Sequence, residues 1–339
     1  MSVRSVSRAD PGFYNFLALG RNALDAPDFL GGLCGALMSA DPRSGSQTFC
    51  IELFPGWRSR TDGKLASLEL FVLRGDLSFN GQVIGASAYV HVAQGCGGGE
   101  FSTTGGALVL AFWNPDMPCF PYPYTRNRVI EPWREQWINS VPGSHGVMHK
   151  SLRQPDSVPH PTDEGFDGGP GGYLRFQYIE PNTIAPKEHV HHECFEEIIL
   201  LQGDCFLVNE GQMGIGSVVN HPQEWYHAPF ISRTGALLLV HTDAPMGYPW
   251  PPRDYPGVDA LARAYFEGAE WDKPTAHIPW DQHPVAKLQD ASPDYHEWRK
   301  SGDSALWGDA DPGDRVPFMP AGRGTVSKFR SSWKRCCDE

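Results

Sequence analysis

Short apolar or alternating runs, bounded by Gly, Pro, Asn and Asp, dominate the chain. TFCIELF (48–54), LELFVLRGDLSF (68–79), ALVLAFW (107–113), YLRFQYI (173–179), EEIILLQGDCFLV (196–208) and GALLLVHT (235–242) each have the length and residue types of a β-strand or hairpin. Helical periodicity is confined to two stretches, 22–39 (NALDAPDFLGGLCGALMS) and 257–268 (GVDALARAYFEG). The second starts after Pro256, stops at Gly268, and crowds Leu261, Ala264, Tyr265 and Phe266 on one side. The prediction is an all-β molecule with short helices.

The strand pattern repeats. LELFVLRGDLSFNGQVIG (68–85) is echoed by EEIILLQGDCFLVNEGQMG (196–214), each with a Gly-Asp turn after an apolar strand. GGALVLAFW (105–113) is echoed by TGALLLVHT (234–242). An offset of 129 relates Gly85 to Gly214, Ala93 to Pro222 and Gly106 to Gly235. One β module is therefore duplicated, and many short strands with regular turns predict sandwiches or barrels. The expected division is an extension over 1–45, a first module over 46–116 and a Pro/Gly/aromatic-rich connection over 117–169. A second module over 170–245 and a Trp/Pro-rich extension over 246–339 follow. Tryptophans at 271, 280, 298 and 307 argue that the last segment packs on the modules, while the polar, basic stretch after about residue 320 frays.

Composition narrows the class. The 339 residues are 40% hydrophobic and 20% charged, which is globular and long enough for a well-buried core. A net charge of −12 with no basic patch argues against nucleic acid and anionic membranes as partners. No run approaches the roughly 18 apolar residues of a membrane span, and the first residues lack a signal-peptide plan. The eight cysteines form no CxxC pair, so reduced thiols in the cytoplasm are expected.

The chemistry concentrates in HVHHECFEEIILLQG (189–203) and GSVVNHPQEWYHAPF (216–230). Residues two apart on a strand face the same side, so His189 and His191 point together. Glu196 begins the next strand with Ile198 and Leu200 on its face, and His227 adds a third imidazole. Neutral imidazoles and a carboxylate suit a divalent Fe, Mn, Ni, Cu or Zn ion, and four protein donors leave room for a small molecule. Glu197 faces the other side of its strand, His192 faces away from its neighbours, and His221 is either an outer support of the site or exposed.

The first module carries no such set. Its counterpart strand reads PGWRSRTDGKLASLELF without histidine, and Gly98 stands where His227 would. Glu69, His91 and Cys96 do not make a metal site, so this copy is read as a metal-free support. Near the second module's site, His241, Tyr178 and Arg175 are candidate acids, bases or outer supports. His241 ends the strand after the second motif and matches Phe112; Tyr173, Arg175 and Gln177 share one strand face and Tyr178 and Glu180 the other.

HxH, four residues, Glu, six residues, Gly, and then Gly, five residues, Pro, with His five positions on, resemble the two cupin motifs. Here they are His189, His191, Glu196 and Gly203, then Gly216, Pro222 and His227, with Glu224 replacing a usual glycine and Ile231 an occasional asparagine. The second module further resembles a ChrR-like cupin, the type at the end of zinc-dependent anti-sigma factors and in oxygenase-like proteins. That likeness covers about 170–245 well and 50–113 weakly. It implies two double-stranded β-helix (jelly-roll) barrels, metal ligation by His189, His191, Glu196 and His227, and a homodimer. The leading expectation is a cytoplasmic bicupin oxidoreductase of dioxygenase type using one Fe2+ ion on a small oxygen-bearing molecule, with Zn2+, Mn2+, Ni2+ or Cu2+ as alternatives. Rival expectations are a ChrR-like zinc sensor without turnover and a metal-dependent isomerase or lyase.

Overall fold

The computed structural model describes residues 6–24, 30, 33–64, 66–115, 127–132, 138–139, 146–153, 172–191, 194–208, 210–227, 229–243 and 253–268. Of residues 6, 18, 138–139, 187–191, 226 and 253–254 it describes the backbone alone. Two β barrels stand back to back. In the first, a large sheet runs Val6–Ser7, Cys34–Ala40, Gln47–Leu53, Ala107–Asn114, Ser67–Gly75, Tyr89–Val92, Arg128–Ile130, with Asn22–Ala23 paired to Cys34–Ala40. A four-stranded sheet, Arg58–Thr61, Gly99–Ser102, Leu77–Phe79, Gln82–Ile84, closes it. In the second, Ile138–Asn139, Val147–Arg153, Leu174–Ile179, Ala236–Thr242, Glu196–Gly203, Ser217–His221, Gly12–Asn15 form the large sheet. Thr183–Ala185, Phe230–Ser232, Cys205–Leu207, Gly211–Met213 form the small one, and Trp225–His227, Lys187–His191 and Arg253–Asp254 a third.

Alternation along the strands builds three layers of core. In strand Ser67–Gly75, Leu68, Leu70 and Val72 fill the first barrel, while Phe71 and Leu73 point out of it. In strand Glu196–Gly203, Ile198 and Leu200 fill the second barrel, while Ile199 and Leu201 point out. The outward residues meet in one apolar layer between the large sheets, where Phe71 lies 5.9 Å from Phe176. Both faces of each large sheet are thus buried, which is why these strands read as nearly continuous apolar runs.

The duplicated Gly-Asp turn has a common physical basis. Gly75 and Gly203 take φ of +85° and +80°, and a Cβ on either would overlap the carbonyl oxygen of Gly106 or Gly235. The following aspartates bind the facing loop. Asp76 accepts from the amides of Thr104 and Gly105 at 3.0 Å each, and Asp204 from those of Arg233 and Thr234 at 3.0 and 2.6 Å.

Several boundaries differ from the sequence reading. The predicted helix over 22–39 is instead strands Asn22–Ala23 and Cys34–Ala40 among its described residues. Ala36 and Met38 face the inter-barrel layer and Leu37 packs against the first barrel's core, and burial of both faces imitates a helical stripe. Gly35 also sits against the Cys50 carbonyl, 2.6 Å from where its Cβ would lie. The 1–45 segment thus supplies barrel strands, as does the 117–169 segment through Arg128–Ile130 and Val147–Arg153. The strand leading into each barrel joins the other's sheet: Gly12–Asn15 pairs with Ser217–His221, and Arg128–Ile130 with Tyr89–Val92.

The helix at the C-terminal side does form, as α1 (Val258–Phe266), preceded by Gly257 at φ +82°. Val258, Ala262 and Tyr265 cover Phe206, Val208 and Ile231 on the outside of the second barrel's small sheet. The segment from 269 on, with the four tryptophans named above, lies outside the described residues. Cys50, Cys96, Cys194 and Cys205 are free thiols, but Cys34 is in a disulfide, so the expectation of eight reduced cysteines does not hold. Among the described residues no helix is long and apolar enough to cross a membrane.

Candidate metal centre

Glu196 opens its strand directly opposite His221, the last residue of the neighbouring strand Ser217–His221. The chain then turns at Pro222 and re-enters as Trp225–His227, bringing His227 back over the same end of the barrel. Donor atoms of Glu196, His221 and His227 all lie within 4.8 Å of one another, and all three residues are buried. Strand Lys187–His191 pairs with Trp225–His227 so that His189 stands opposite His227 and His191 opposite Trp225. The backbone therefore brings all four motif positions to one end of the second barrel, although the His189 and His191 side chains lie outside the description.

The Glu196 carboxylate is held from two sides. Oε1 accepts from the Tyr173 hydroxyl at 3.1 Å, and Oε2 lies 3.0 Å from His221 Nδ1. His227 Nε2 is 3.6 Å from the same Oε2. Behind His221, Nε2 meets the buried carboxylate of Glu210 at 2.9 Å to one oxygen and 3.0 Å to the other. Trp225 Nε1 donates to Glu210 at 3.3 Å. Burial alone would push the His221 imidazole down, but the Glu210 and Glu196 carboxylates outweigh it and raise it to about 9. Burial, then the nearby Glu196 charge, holds the Tyr173 phenol protonated well above its ordinary range, so it acts as a donor.

Arg175 shares the inward face with Tyr173 and is buried, its guanidinium 3.8 Å from the centre of the Tyr173 ring. Its register partner is Val240, which pairs in turn with Ile198, so Arg175 stands one inward-facing row along from the level of Glu196. Tyr178 and His241 lie elsewhere. Tyr178 alternates with Leu174 and Phe176, on the opposite strand face from Tyr173. His241 alternates with Leu237 and Leu239 and points into the inter-barrel layer, 4.7 Å from the ring of Phe112 and 3.7 Å from Glu197. The structure thus brings Glu196 and His227 together, sets Arg175 against Tyr173 on the same inward face, and leaves His241 and Tyr178 behind the sheet. His241 is held neutral by burial, with Arg153 and Arg8 adding to the effect.

Glu197 also faces the inter-barrel layer, where it accepts from Thr48 Oγ1 at 2.9 Å. Its register partners are Asn220 and His241; those of Glu69 are His91 and Phe112. Glu69 is thus the counterpart of Glu197, not of Glu196. It makes a buried ion pair with Arg153 at 3.0 Å, tying the first barrel to a strand of the second.

The sequence leaves His221 open between an outer support and an exposed residue; the fold buries it between Glu196 and Glu210. Glu210 is hard to single out in the sequence because NEGQMG reads as a hairpin turn. The one hint is spacing: a carboxylate just before strand Gly211–Met213 lies eleven residues from a histidine that ends the following strand, close enough in the chain for the two sheets to bring them together.

No protein-family model matches the sequence, and no curated protein matches it at the sequence level. Solved structures do match. A candidate dioxygenase of Nostoc punctiforme PCC 73102 shares 16% identity with a TM-score of 0.57 over 73% of this chain and 87% of its own. A candidate glyoxylate-induced protein of Pseudomonas aeruginosa shares 16% with a TM-score of 0.52 over 70% and 91%. At such identities the likeness is one of fold: the chain is an all-β protein built from two cupin jelly-roll barrels.

Proposed function

We propose that the chain is a metal-dependent cupin enzyme of dioxygenase type, acting through a single divalent ion in its second barrel. Glu196 and His227, with His189 and His191 from the paired strand, would hold the ion. The observation that carries this reading is the meeting of buried carboxylate and imidazole donors within 4.8 Å at one end of the second barrel. Three imidazoles and one carboxylate suit Fe2+, the preferred ion here, and also Mn2+, Ni2+, Zn2+ or Cu2+. When bound, the ion supplies Lewis acidity and open positions for a substrate oxygen and dioxygen.

The chain's own groups do the rest. Tyr173 donates to Glu196 Oε1 and so fixes which carboxylate oxygen is left to face the ion. Ile198, Leu200, Leu238 and Val240 form a dry floor that excludes water and strengthens electrostatic contacts. Arg175 places a buried cation against the Tyr173 ring on the same inward face, suited to an electron-rich, oxygen-bearing small molecule. The description of the Nostoc relative as a candidate dioxygenase agrees with this choice.

The test is oxygen consumption by the Fe2+-loaded chain across enolic, phenolic and diketone compounds. Substrate-dependent uptake that vanishes in Glu196→Gln is expected. Bound metal without uptake for any of them overturns the oxygenase reading. Stoichiometric zinc in protein from its native host would then favour a ChrR-like sensor, and iron, manganese or nickel an isomerase or lyase. A homodimer belongs to the same proposal and is checked by sedimentation.

A further inference from the structure

Three donor residues converge with Glu196 and His227 included, but not all of them can serve one ion. An imidazole nitrogen offers its lone pair in the plane of its ring. Two imidazoles that share an ion must therefore have planes that meet at that ion. The rings of His221 and His227 are stacked instead, with centroids 4.3 Å apart and planes inclined by 11°. Planes so nearly parallel meet well outside the site. One of the two rings is not a ligand.

Which one is settled by the neighbours. Both nitrogens of His221 face carboxylates: Nδ1 faces Glu196 Oε2 at 3.0 Å, and Nε2 faces Glu210 at 2.9 Å. His227 Nε2 stands 3.6 Å from Glu196 Oε2, and its backbone lies opposite His189. A carboxylate behind an imidazole is also the usual support of a ligating histidine. Glu210 could serve His221 in that way only if His227 were turned off the ion, against the register that sets it beside the HxH strand.

We infer that His221 and Glu210 are positioning residues, a buried Glu196–His221–Glu210 chain that orients the one carboxylate ligand while His227 binds the ion. This rests on the metal-centre reading above. Glu196 is then gripped at both oxygens, by Tyr173 and by His221, and can present itself to the ion in a single orientation. Trp225, donating to Glu210, anchors the far end of the chain to the strand that carries His227.

The test loads the full chain with Mn2+ and measures affinity by titration and imidazole coordination by pulsed EPR. His227→Gln is expected to lose measurable binding. His221→Gln is expected to keep one ion per chain and the wild-type nitrogen couplings, with affinity about 10- to 100-fold weaker, the usual effect of removing an outer support. Glu210→Gln leaves every candidate ligand in place and should weaken binding to a similar extent. Combined with His221→Gln it should add little, because the two act as one device. Loss of a nitrogen coupling in His221→Gln, loss of binding equal to that in His227→Gln, or wild-type affinity in both His221→Gln and Glu210→Gln overturns the inference while leaving the metal centre standing. A wild-type chain that takes up no Mn2+, Fe2+ or Zn2+ overturns the metal-centre reading itself, and this inference with it.

Discussion

Equivalent positions in the two barrels hold opposite chemistry. Leu68 stands between Val92 and Trp113 in the first barrel; Glu196 stands between His221 and Thr242 in the second. In the first barrel the loop closes over this spot: a Cβ on Gly98, where the second barrel carries His227, would overlap the Thr61 carbonyl. In the second, the returning strand Trp225–His227 carries a buried imidazole at this place. The scaffold is thus indifferent to what occupies its interior end, provided the occupants are satisfied. Leucine and valine are satisfied by packing. Glutamate and histidine are satisfied by Tyr173, by Glu210 and, in the proposed function, by an ion.

The harshest way to break this comparison is to place the second barrel's carboxylate in the first. Leu68→Glu buries a carboxylate among apolar neighbours, with neither a cation nor an imidazole among its register partners Val92 and Trp113, and should cost about 3 kcal/mol or more in urea unfolding. It should gain no metal. Next come the shared turns. Gly75→Ala and Gly203→Ala each force a Cβ onto a backbone carbonyl at positive φ, and each should destabilise by about 1–3 kcal/mol. Near-equal losses would show that the duplication extends to energetics; a loss at one site alone would break it.

A pH measurement compares the inter-barrel faces. His91 faces Glu69 where Asn220 faces Glu197. Burial, then Arg153 and Arg128, depresses His91 to about 3. Its folded value lies below its unfolded value of 6.5. The unfolded chain therefore binds the extra proton as pH falls through 6.5, and stability drops by about 1.4 kcal/mol per pH unit until about pH 3. His241 acts in the same direction; Glu197, raised chiefly by burial, acts in the opposite one. His91→Asn should remove one share, so that between pH 7 and 5 it loses about 2 kcal/mol less than the wild type. Equal losses in both proteins would contradict the assignment.

The smallest effect is expected at His241. It is buried and neither ring nitrogen makes a hydrogen bond to protein, while Phe112 fills the matching place in the first barrel. His241→Phe should leave metal affinity unchanged within about twofold and change stability by about 1 kcal/mol or less. A large loss of metal would bring His241 back into the site.

The strand set, the duplication and the motif positions were legible because they depend on local alternation and spacing. Strand Cys34–Ala40 was not, because a strand buried on both faces loses the period of two that marks it. The side on which Arg175 and Tyr178 lie could be read only up to a choice of two faces; the fold made that choice by packing Tyr173 against Glu196. The exchange of leading strands depends on contacts between segments far apart in the chain, for which one sequence carries no local signal, and Glu210, only eleven residues before His221, is hidden in a run that reads as a turn.

The claim that the duplicated scaffold carries one centre, in the second barrel, is tested most directly by metal content. The full chain is loaded with Mn2+, desalted and analysed by mass spectrometry beside Glu196→Gln. One ion per wild-type chain and close to none in Glu196→Gln is the predicted result. Two ions per chain, or an undiminished ion in Glu196→Gln, would contradict it.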